Sequence, residues 1–119
     1  MPNNKKYRPL VILGIIIIFI GAIIYAKYSS TASPMILFYS TSCIHCQNVA
    51  SYIEANDIRN KLKFQELEVS ANQANSQLLA KKAQECKIDT SQGINVPFFF
   101  DGEKCLIGDQ DIINYFQTK

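Results

Sequence analysis

The chain begins with a long apolar run and continues with shorter apolar stretches separated by polar residues. The run, Pro9–Ala26, reads PLVILGIIIIFIGAIIYA and contains no charged residue. As a helix it would span roughly 27 Å, which is close to the hydrocarbon thickness of a bilayer. A backbone in lipid must satisfy its own hydrogen bonds, so the run is predicted to form a transmembrane helix over 9–26.

After a short polar linker over 27–33, apolar residues recur over 34–119 with the periods of strands and helices. Short continuous or alternating apolar runs indicate strands, and helical spacing indicates helices. The predicted elements are strand Pro34–Tyr39, helix Cys43–Asn56, strand Phe64–Val69, helix Ser70–Lys87, strands Val96–Phe100 and Glu103–Ile107, and helix Asp109–Gln117. This order, β-α-β-α-β-β-α, predicts an α/β domain with a four-stranded mixed sheet flanked by three helices.

The connections predict how the strands pair. A βαβ unit crosses over right-handedly, so the first two strands should be parallel. The last two should form a hairpin, because Asp-Gly dipeptides supply the positive φ angles of a tight turn. A turn centred on Asp101–Gly102 would place Phe100 opposite Glu103.

Charge divides unevenly along the chain and suggests an orientation in the membrane. Residues 1–30 carry four bases and no acid, whereas 31–119 carry eight bases and ten acids. The cluster Lys5, Lys6 and Arg8 precedes the apolar run, and the positive-inside rule keeps such a tail in the cytoplasm. The prediction is a cytoplasmic tail over 1–8 and a single pass through the cell (inner) membrane, with the domain over 34–119 outside. The acidic balance of that domain argues against a nucleic-acid partner.

A cleaved signal peptide is the alternative to a retained anchor. Ser30 and Ala32 are small residues at suitable positions for a cut before Ser33. The apolar run is longer than the usual core of such a peptide, which favours the anchor. In both interpretations the domain over 34–119 is exported.

The motif Cys43-Ile44-His45-Cys46 carries the candidate chemistry. Cys43 is expected at a helix N-terminus, where unpaired N–H groups and the helix dipole favour a thiolate. Cys46, deeper in the helix, would resolve a mixed disulfide formed at Cys43. A cationic His45 would stabilise the dithiol form and so make the disulfide more oxidising. Electrons would be carried in the S–S bond, so no organic cofactor is required.

The alternative chemistry for these cysteines is metal binding. A tetrahedral zinc site needs four ligands, and the further candidates are Cys86 and Cys105, because His45 is the only histidine. An exported copper site would be expected to use methionines, and the domain has only Met35, in a strand. A metal-binding or metal-delivery module using Cys43 and Cys46 therefore stays as the second hypothesis, and we expect no resident metal.

With these motifs in place, residues 34–119 resemble the thioredoxin-like superfamily in its minimal, glutaredoxin-sized form. The resemblance is carried by Cys43-Ile44-His45-Cys46 after a buried strand and by Val96–Pro97 about fifty residues later. It implies that Val96–Pro97 is a cis peptide beside the redox pair. It also implies that the backbone of Val96 pairs with an incoming polypeptide in β fashion.

Details of the resemblance leave the direction of electron flow open. The histidine before the second cysteine is similar to that of exported disulfide oxidases and isomerases. Gly108–Asp109 is similar to a glutathione-binding turn of glutaredoxins, which makes a glutathione-linked reductase a third hypothesis. We interpret Gly108–Asp109 instead as a turn followed by a helix cap.

Cys86 and Cys105 form a second candidate pair. Thiols of small exported domains tend to form disulfides, and a bridge here would close a loop of about twenty residues that holds Pro97. Free buried cysteines and a second redox pair are the alternatives. Altogether the sequence predicts a membrane-tethered thiol–disulfide oxidoreductase. Its expected partners are exported thiol or disulfide proteins, or a membrane redox partner.

Overall fold

In a computed structural model, which describes residues 5–28 and 34–119, the chain divides into two compact units, Met1–Ala32 and Ser33–Lys119. The first unit contains helix α1 (Arg8–Tyr28). Over Arg8–Ala26 its mean hydropathy is 2.8 and its side chains are exposed, so it is long and apolar enough to cross a membrane. A signal sequence has the same properties.

Helix α1 begins one residue before the predicted span and ends two residues after it. It therefore takes Lys27 and Tyr28 from the predicted linker over 27–33. The rest of that linker, with the candidate cleavage site after Ala32, lies outside the described residues, as do the first four residues of the basic tail.

The second unit is an α/β domain with four strands and four helices over 34–119. Its elements are β1 (Ile36–Tyr39), α2 (Ile44–Ala55), α3 (Ile58–Lys61), β2 (Gln65–Glu68), α4 (Gln73–Glu85), β3 (Phe98–Phe100), β4 (Cys105–Ile107) and α5 (Asp109–Gln117). The strands form one sheet in the order β2-β1-β3-β4. The pair β1–β2 is parallel, whereas β1–β3 and β3–β4 are antiparallel, so the predicted mixed four-stranded sheet is confirmed.

Helices cover both faces of the sheet, and β1 is buried on both sides. Leu37 and Phe99 face a cluster contributed by α2, α3 and α5. Ile36 and Phe38 face the opposite cluster, which includes Leu79 of α4. Successive side chains of a strand point to opposite faces, so a continuous apolar run such as that of β1 fills both cores.

The hairpin register differs from the predicted one. Phe100 pairs with Cys105 rather than with Glu103. The side chain of Asp101 accepts hydrogen bonds from the N–H groups of Glu103 and Lys104 at 2.9 and 2.6 Å, and its N–H donates to Lys104 O at 3.0 Å. These bonds make Asp101 and Lys104 the last paired residues. The turn is therefore centred one residue later than expected, and the pairing shifts by two residues.

The helices differ from the prediction in number and length. The single-turn helix α3 was not predicted, and it brings Ile58 into the core, so four helices rather than three accompany the sheet. Helix α4 is shorter at both ends than the predicted 70–87. Asn72 caps it by accepting a hydrogen bond from Asn75 N at 3.1 Å.

Candidate active site

Cys43 lies at the tip of α2, immediately after the loop that follows β1. It is the N-cap residue, with extended backbone angles, and Ile44 begins the helix. Its sulfur accepts a hydrogen bond from Cys46 N at 3.2 Å, so the side chain occupies the position of a capping oxygen. One of the four unpaired N–H groups of the helix end thus points at Cys43 Sγ, an arrangement that favours negative charge on the sulfur.

Cys46 lies behind Cys43 and is 5% exposed, whereas Cys43 is partly exposed. Ser40 N donates to Cys46 Sγ at 3.5 Å. The pKa of Cys46 is raised to about 12, first by burial and then by its hydrogen bond with Cys43. The predicted asymmetry in exposure is therefore confirmed, and at neutral pH the buried sulfur is held as a thiol.

The loop that contains Val96–Pro97 lies directly beside Cys43. The peptide bond between these residues is cis, as the resemblance implied. The thiol of Cys43 donates to Val96 O at 3.5 Å. Pro97 is fully buried, and its carbonyl accepts a hydrogen bond from Gly108 N at 3.0 Å. Residues 53 positions apart in sequence thus meet at the sulfur of Cys43.

His45 is exposed, and its ring contacts the start of α5. His45 Nδ1 lies 3.1 Å from Asp109 Oδ2, and Asn48 Nδ2 donates to the same oxygen at 2.7 Å. These hydrogen bonds, that of Asn48 first, lower the pKa of Asp109. The predicted influence of His45 on Cys43 stays a prediction, because the contact found for the ring is with Asp109.

Asp109 has a larger role than the predicted turn and cap. Gly108, with φ of 94°, is the N-cap position of α5, and Asp109 Oδ1 accepts from Gln110 N at 3.1 Å. The turn is thus as expected, but the second carboxylate oxygen binds α2. A shallow groove of about 300 Å³ runs along this contact, lined by His45, Asn95, Val96, Ile107, Gly108 and Asp109.

Cys86 and Cys105 form a disulfide, with Cα atoms 6.1 Å apart. The bridge joins the C-cap residue of α4 to the first residue of β4 and closes the segment that contains Val96–Pro97. The bridged arrangement, one of three left open by the sequence, is the one found. While bonded, these two sulfurs cannot join Cys43 and Cys46 in a four-cysteine zinc site.

A metal site is also not apparent from the wider arrangement. Within the described ranges 5–28 and 34–119, no group of three or more His, Cys, Asp or Glu side chains is placed to hold a metal ion. The pair Cys43 and Cys46 could supply two ligands, and the remaining ones would have to come from a partner.

Two residues that shape this site, Asn48 and Ser40, were not predicted, and neither was the contact of Asp109 with α2. Asn48 and Asp109 join α2 to α5, and the Gly-Asp pair before a closing helix was the available signal. Ser40, whose N–H reaches Cys46 Sγ, gave no signal beyond its place in a polar loop.

Comparison with protein-family models, with curated proteins and with solved structures finds no match to this chain. The geometry of the site is therefore the basis for a functional assignment.

Proposed function

We propose that the chain is a membrane-tethered thiol–disulfide oxidoreductase with a thioredoxin-like fold. The observation that carries the proposal is the position of Cys43 Sγ. It accepts a helix N-terminal N–H at 3.2 Å, lies 3.5 Å from Val96 O beside a cis proline, and has Cys46 behind it. This combination gives an accessible nucleophile, an adjacent backbone for binding an extended peptide, and an internal thiol to complete the exchange.

The proposed reaction proceeds in two exchanges. The thiolate of Cys43 attacks one sulfur of a substrate disulfide, and the other substrate sulfur leaves as a thiolate that takes up a proton. Cys46 then loses its proton and attacks Cys43 Sγ, which releases the second substrate thiol and leaves a Cys43–Cys46 disulfide. Two electrons pass to the substrate. Run in reverse, the same steps oxidise a substrate dithiol and regenerate the two thiols.

The difference in exposure between the two cysteines supports a division of roles. Cys46, 5% exposed, is too buried to meet a second polypeptide, whereas Cys43 is at the surface of the loop. Cys43 is thus proposed as the nucleophile and Cys46 as the resolving thiol. Val96–Pro97 is proposed as the substrate-binding loop, and His45, held by Asp109, as the residue that tunes the pair.

The proposed location is the outer side of the cell (inner) membrane. Helix α1 would be the anchor, with Lys5, Lys6 and Arg8 on the cytoplasmic side. The Cys86–Cys105 disulfide supports an oxidising compartment, because such bonds are rare in reducing ones. The substrates would then be exported thiol or disulfide proteins or a membrane redox partner.

The proposal is tested by trapping the mixed disulfide. The full chain with Cys46→Ser, purified in detergent, is mixed with a peptide that contains one disulfide. We expect a one-to-one adduct through Cys43 that dithiothreitol releases, since the resolving thiol is absent. The matched control, Cys43→Ser with Cys46 intact, should form none.

Absence of the adduct from Cys46→Ser, with Cys43 confirmed as a free thiol, would contradict the oxidoreductase proposal. Protection of both thiols by one equivalent of Zn²⁺ in the same preparation would favour a metal-binding module instead. In intact cells, a membrane-impermeant maleimide should label Cys43, and labelling only after lysis would contradict export.

A further inference from the structure

A chain of hydroxyl groups connects the end of β2 with the loop that precedes the cysteine motif. Ser40 in that loop is polar yet only 8% exposed. Its Oγ lies 3.1 Å from Ser42 Oγ and donates to Ser70 Oγ at 3.3 Å. Ser70 Oγ in turn donates to Glu68 Oε1. The hydrogen bonds thus run in one direction, from Ser40 through Ser70 to a carboxylate.

Glu68 is held firmly at the far end of this chain. Its two carboxylate oxygens accept from Ser70 N and Ala71 N, each at 2.8 Å. The side chain of Asn75 donates to Glu68 O at 2.8 Å, which fixes the backbone as well. A carboxylate with both oxygens bound to N–H groups is a rigid acceptor, so it orients the Ser70 hydroxyl and leaves the Ser70 oxygen to accept from Ser40.

At the other end of this series of hydrogen bonds, the backbone of Ser40 contacts both redox cysteines. Ser40 O accepts from Cys43 N at 3.3 Å, and Ser40 N donates to Cys46 Sγ at 3.5 Å. The side-chain bonds of Ser40 thus hold in place the residue whose N–H points at Cys46 Sγ. That N–H is the donor that reaches the buried sulfur from outside its own helix.

Cys46 needs such a donor because it must become a thiolate to attack the mixed disulfide. Burial opposes that charge, and so do the neighbouring Cys43 of the same helix and Asp109 of α5. Among the groups that act on Cys46, the N–H of Ser40 is the one that favours the anion. A hydrogen bond to a charged group counts for more than one between neutral groups, so its geometry controls the reactivity of the sulfur.

We propose that Glu68 and Ser70 are positioning residues that hold the Ser40 N–H on Cys46 Sγ and thereby set the rate at which Cys46 resolves the mixed disulfide. The inference rests on the proposed function, because it concerns the second exchange of that reaction. It assigns a role to a carboxylate at the end of β2 that touches neither cysteine.

The second exchange can be observed alone with dithiobis-nitrobenzoate. Cys43 of the full chain in detergent, with the Cys86–Cys105 disulfide intact, attacks this reagent and releases one thionitrobenzoate anion. Cys46 then attacks Cys43 Sγ and releases a second anion, leaving a Cys43–Cys46 disulfide. The rate of the second release, followed by stopped-flow absorbance across pH, measures the attack by Cys46.

We expect Ser70→Ala and Glu68→Gln to slow the second release by at least about tenfold, the effect of weakening one hydrogen bond to a charged group. In both variants the rate of the second release should begin to rise at a higher pH than in the wild type. Ser70→Thr keeps the hydroxyl and should restore the rate. The matched control is Glu66→Gln on the same strand, where the carboxylate binds Arg59 at 2.6 Å and the rate should stay unchanged.

Two results are distinguishable. If the wild-type chain releases only one anion, Cys46 does not resolve the adduct and the proposed function itself fails. If it releases two, and both Ser70→Ala and Glu68→Gln keep the wild-type rate and pH profile, the function stands and the positioning role is overturned.

Discussion

The domain contains two pairs of cysteines with opposite arrangements. Cys43 and Cys46 lie three residues apart at the beginning of a helix, unbonded, with one sulfur exposed and the other buried. Cys86 and Cys105 lie nineteen residues apart and are bonded to each other. The first pair is joined by a local hydrogen bond, whereas the second joins two separate elements of the fold.

The two pairs also differ in the end of the helix at which they lie. Cys43 caps the N-terminus of α2, where unpaired N–H groups stabilise a thiolate. Cys86 is the C-cap residue of α4, where unpaired carbonyls disfavour one. In the proposed function, the first position favours thiol–disulfide exchange, and the second does not. The same side chain, cysteine, thus lies at the positive end of a helix in one pair and at the negative end of a helix in the other.

The largest expected contrast between the pairs is in stability. Replacing Cys86 and Cys105 together with alanine should lower the free energy of unfolding by about 3 kcal/mol, since the bridge closes a loop of about twenty residues. The double alanine variant at Cys43 and Cys46 is the matched control, and it should lose less, about 1–2 kcal/mol, from the lost cap of α2 and the smaller buried side chain. Urea denaturation of both variants checks this, and equal losses would remove the distinction between a structural and a reactive pair.

A second expected contrast is in stability at alkaline pH. The reduced Cys43–Cys46 pair can ionise, whereas the bonded cysteines do not titrate. The Cys46 thiol keeps its proton in the folded domain until its raised pKa of about 12, whereas in the unfolded chain it titrates at its usual 9.0. Between these values the unfolded state binds fewer protons, so the free energy of unfolding falls as pH rises, by at most about 1.4 kcal/mol per pH unit.

The Cys46→Ala variant separates this effect from the other groups that titrate in alkali. Its stability should fall less steeply above pH 9.0 than that of the selectively reduced wild type, in parallel urea series. Identical slopes would mean that the buried sulfur is no harder to ionise in the fold than outside it.

The sheet and the position of the motif were predictable because they depend on local patterns. The apolar run of β1 could be recognised without its neighbours, since a strand buried on both faces has no polar positions. A strand, a short polar loop and a helix in succession were enough to put Cys43 at a helix tip. The exposure difference between Cys43 and Cys46 follows from their positions, because Cys43 is the capping residue at the helix tip and Cys46 lies most of a turn further in.

The parts that escaped prediction depend on contacts that no local pattern specifies. Asp-Gly is compatible with turns centred on either side of Gly102, and the carboxylate of Asp101 decided between them. Asp109 contacts His45, which is sixty-four residues away in sequence, and Ser40 contacts Ser70, which is thirty residues away. Such pairs form because the sheet order brings their elements together.

The smallest expected effect is on stability at acid pH, and it concerns the contact between α5 and the helix that carries Cys43 and Cys46. Hydrogen bonds from Asn48 and then His45 lower the pKa of Asp109 below its usual 3.8. This carboxylate therefore stabilises the fold above pH 3.8, and the contribution is lost as pH falls through its lowered pKa. Asp109→Asn should flatten the acid limb of the stability curve slightly. The matched control is Asp111→Asn, which removes the same charge from an exposed position in the same turn.

Comparison of these two asparagine variants, by urea denaturation from neutral to acid pH, isolates the contact with α2 from the charge of the first turn of α5. If both variants flatten the acid limb equally, the stabilisation comes from the helix dipole and not from His45 and Asn48. If only Asp109→Asn does so, the carboxylate couples α5 to the helix that carries Cys43. The helix of Cys43 and Cys46 would then be fixed by a tertiary contact, just as Cys86 and Cys105 are fixed by their disulfide.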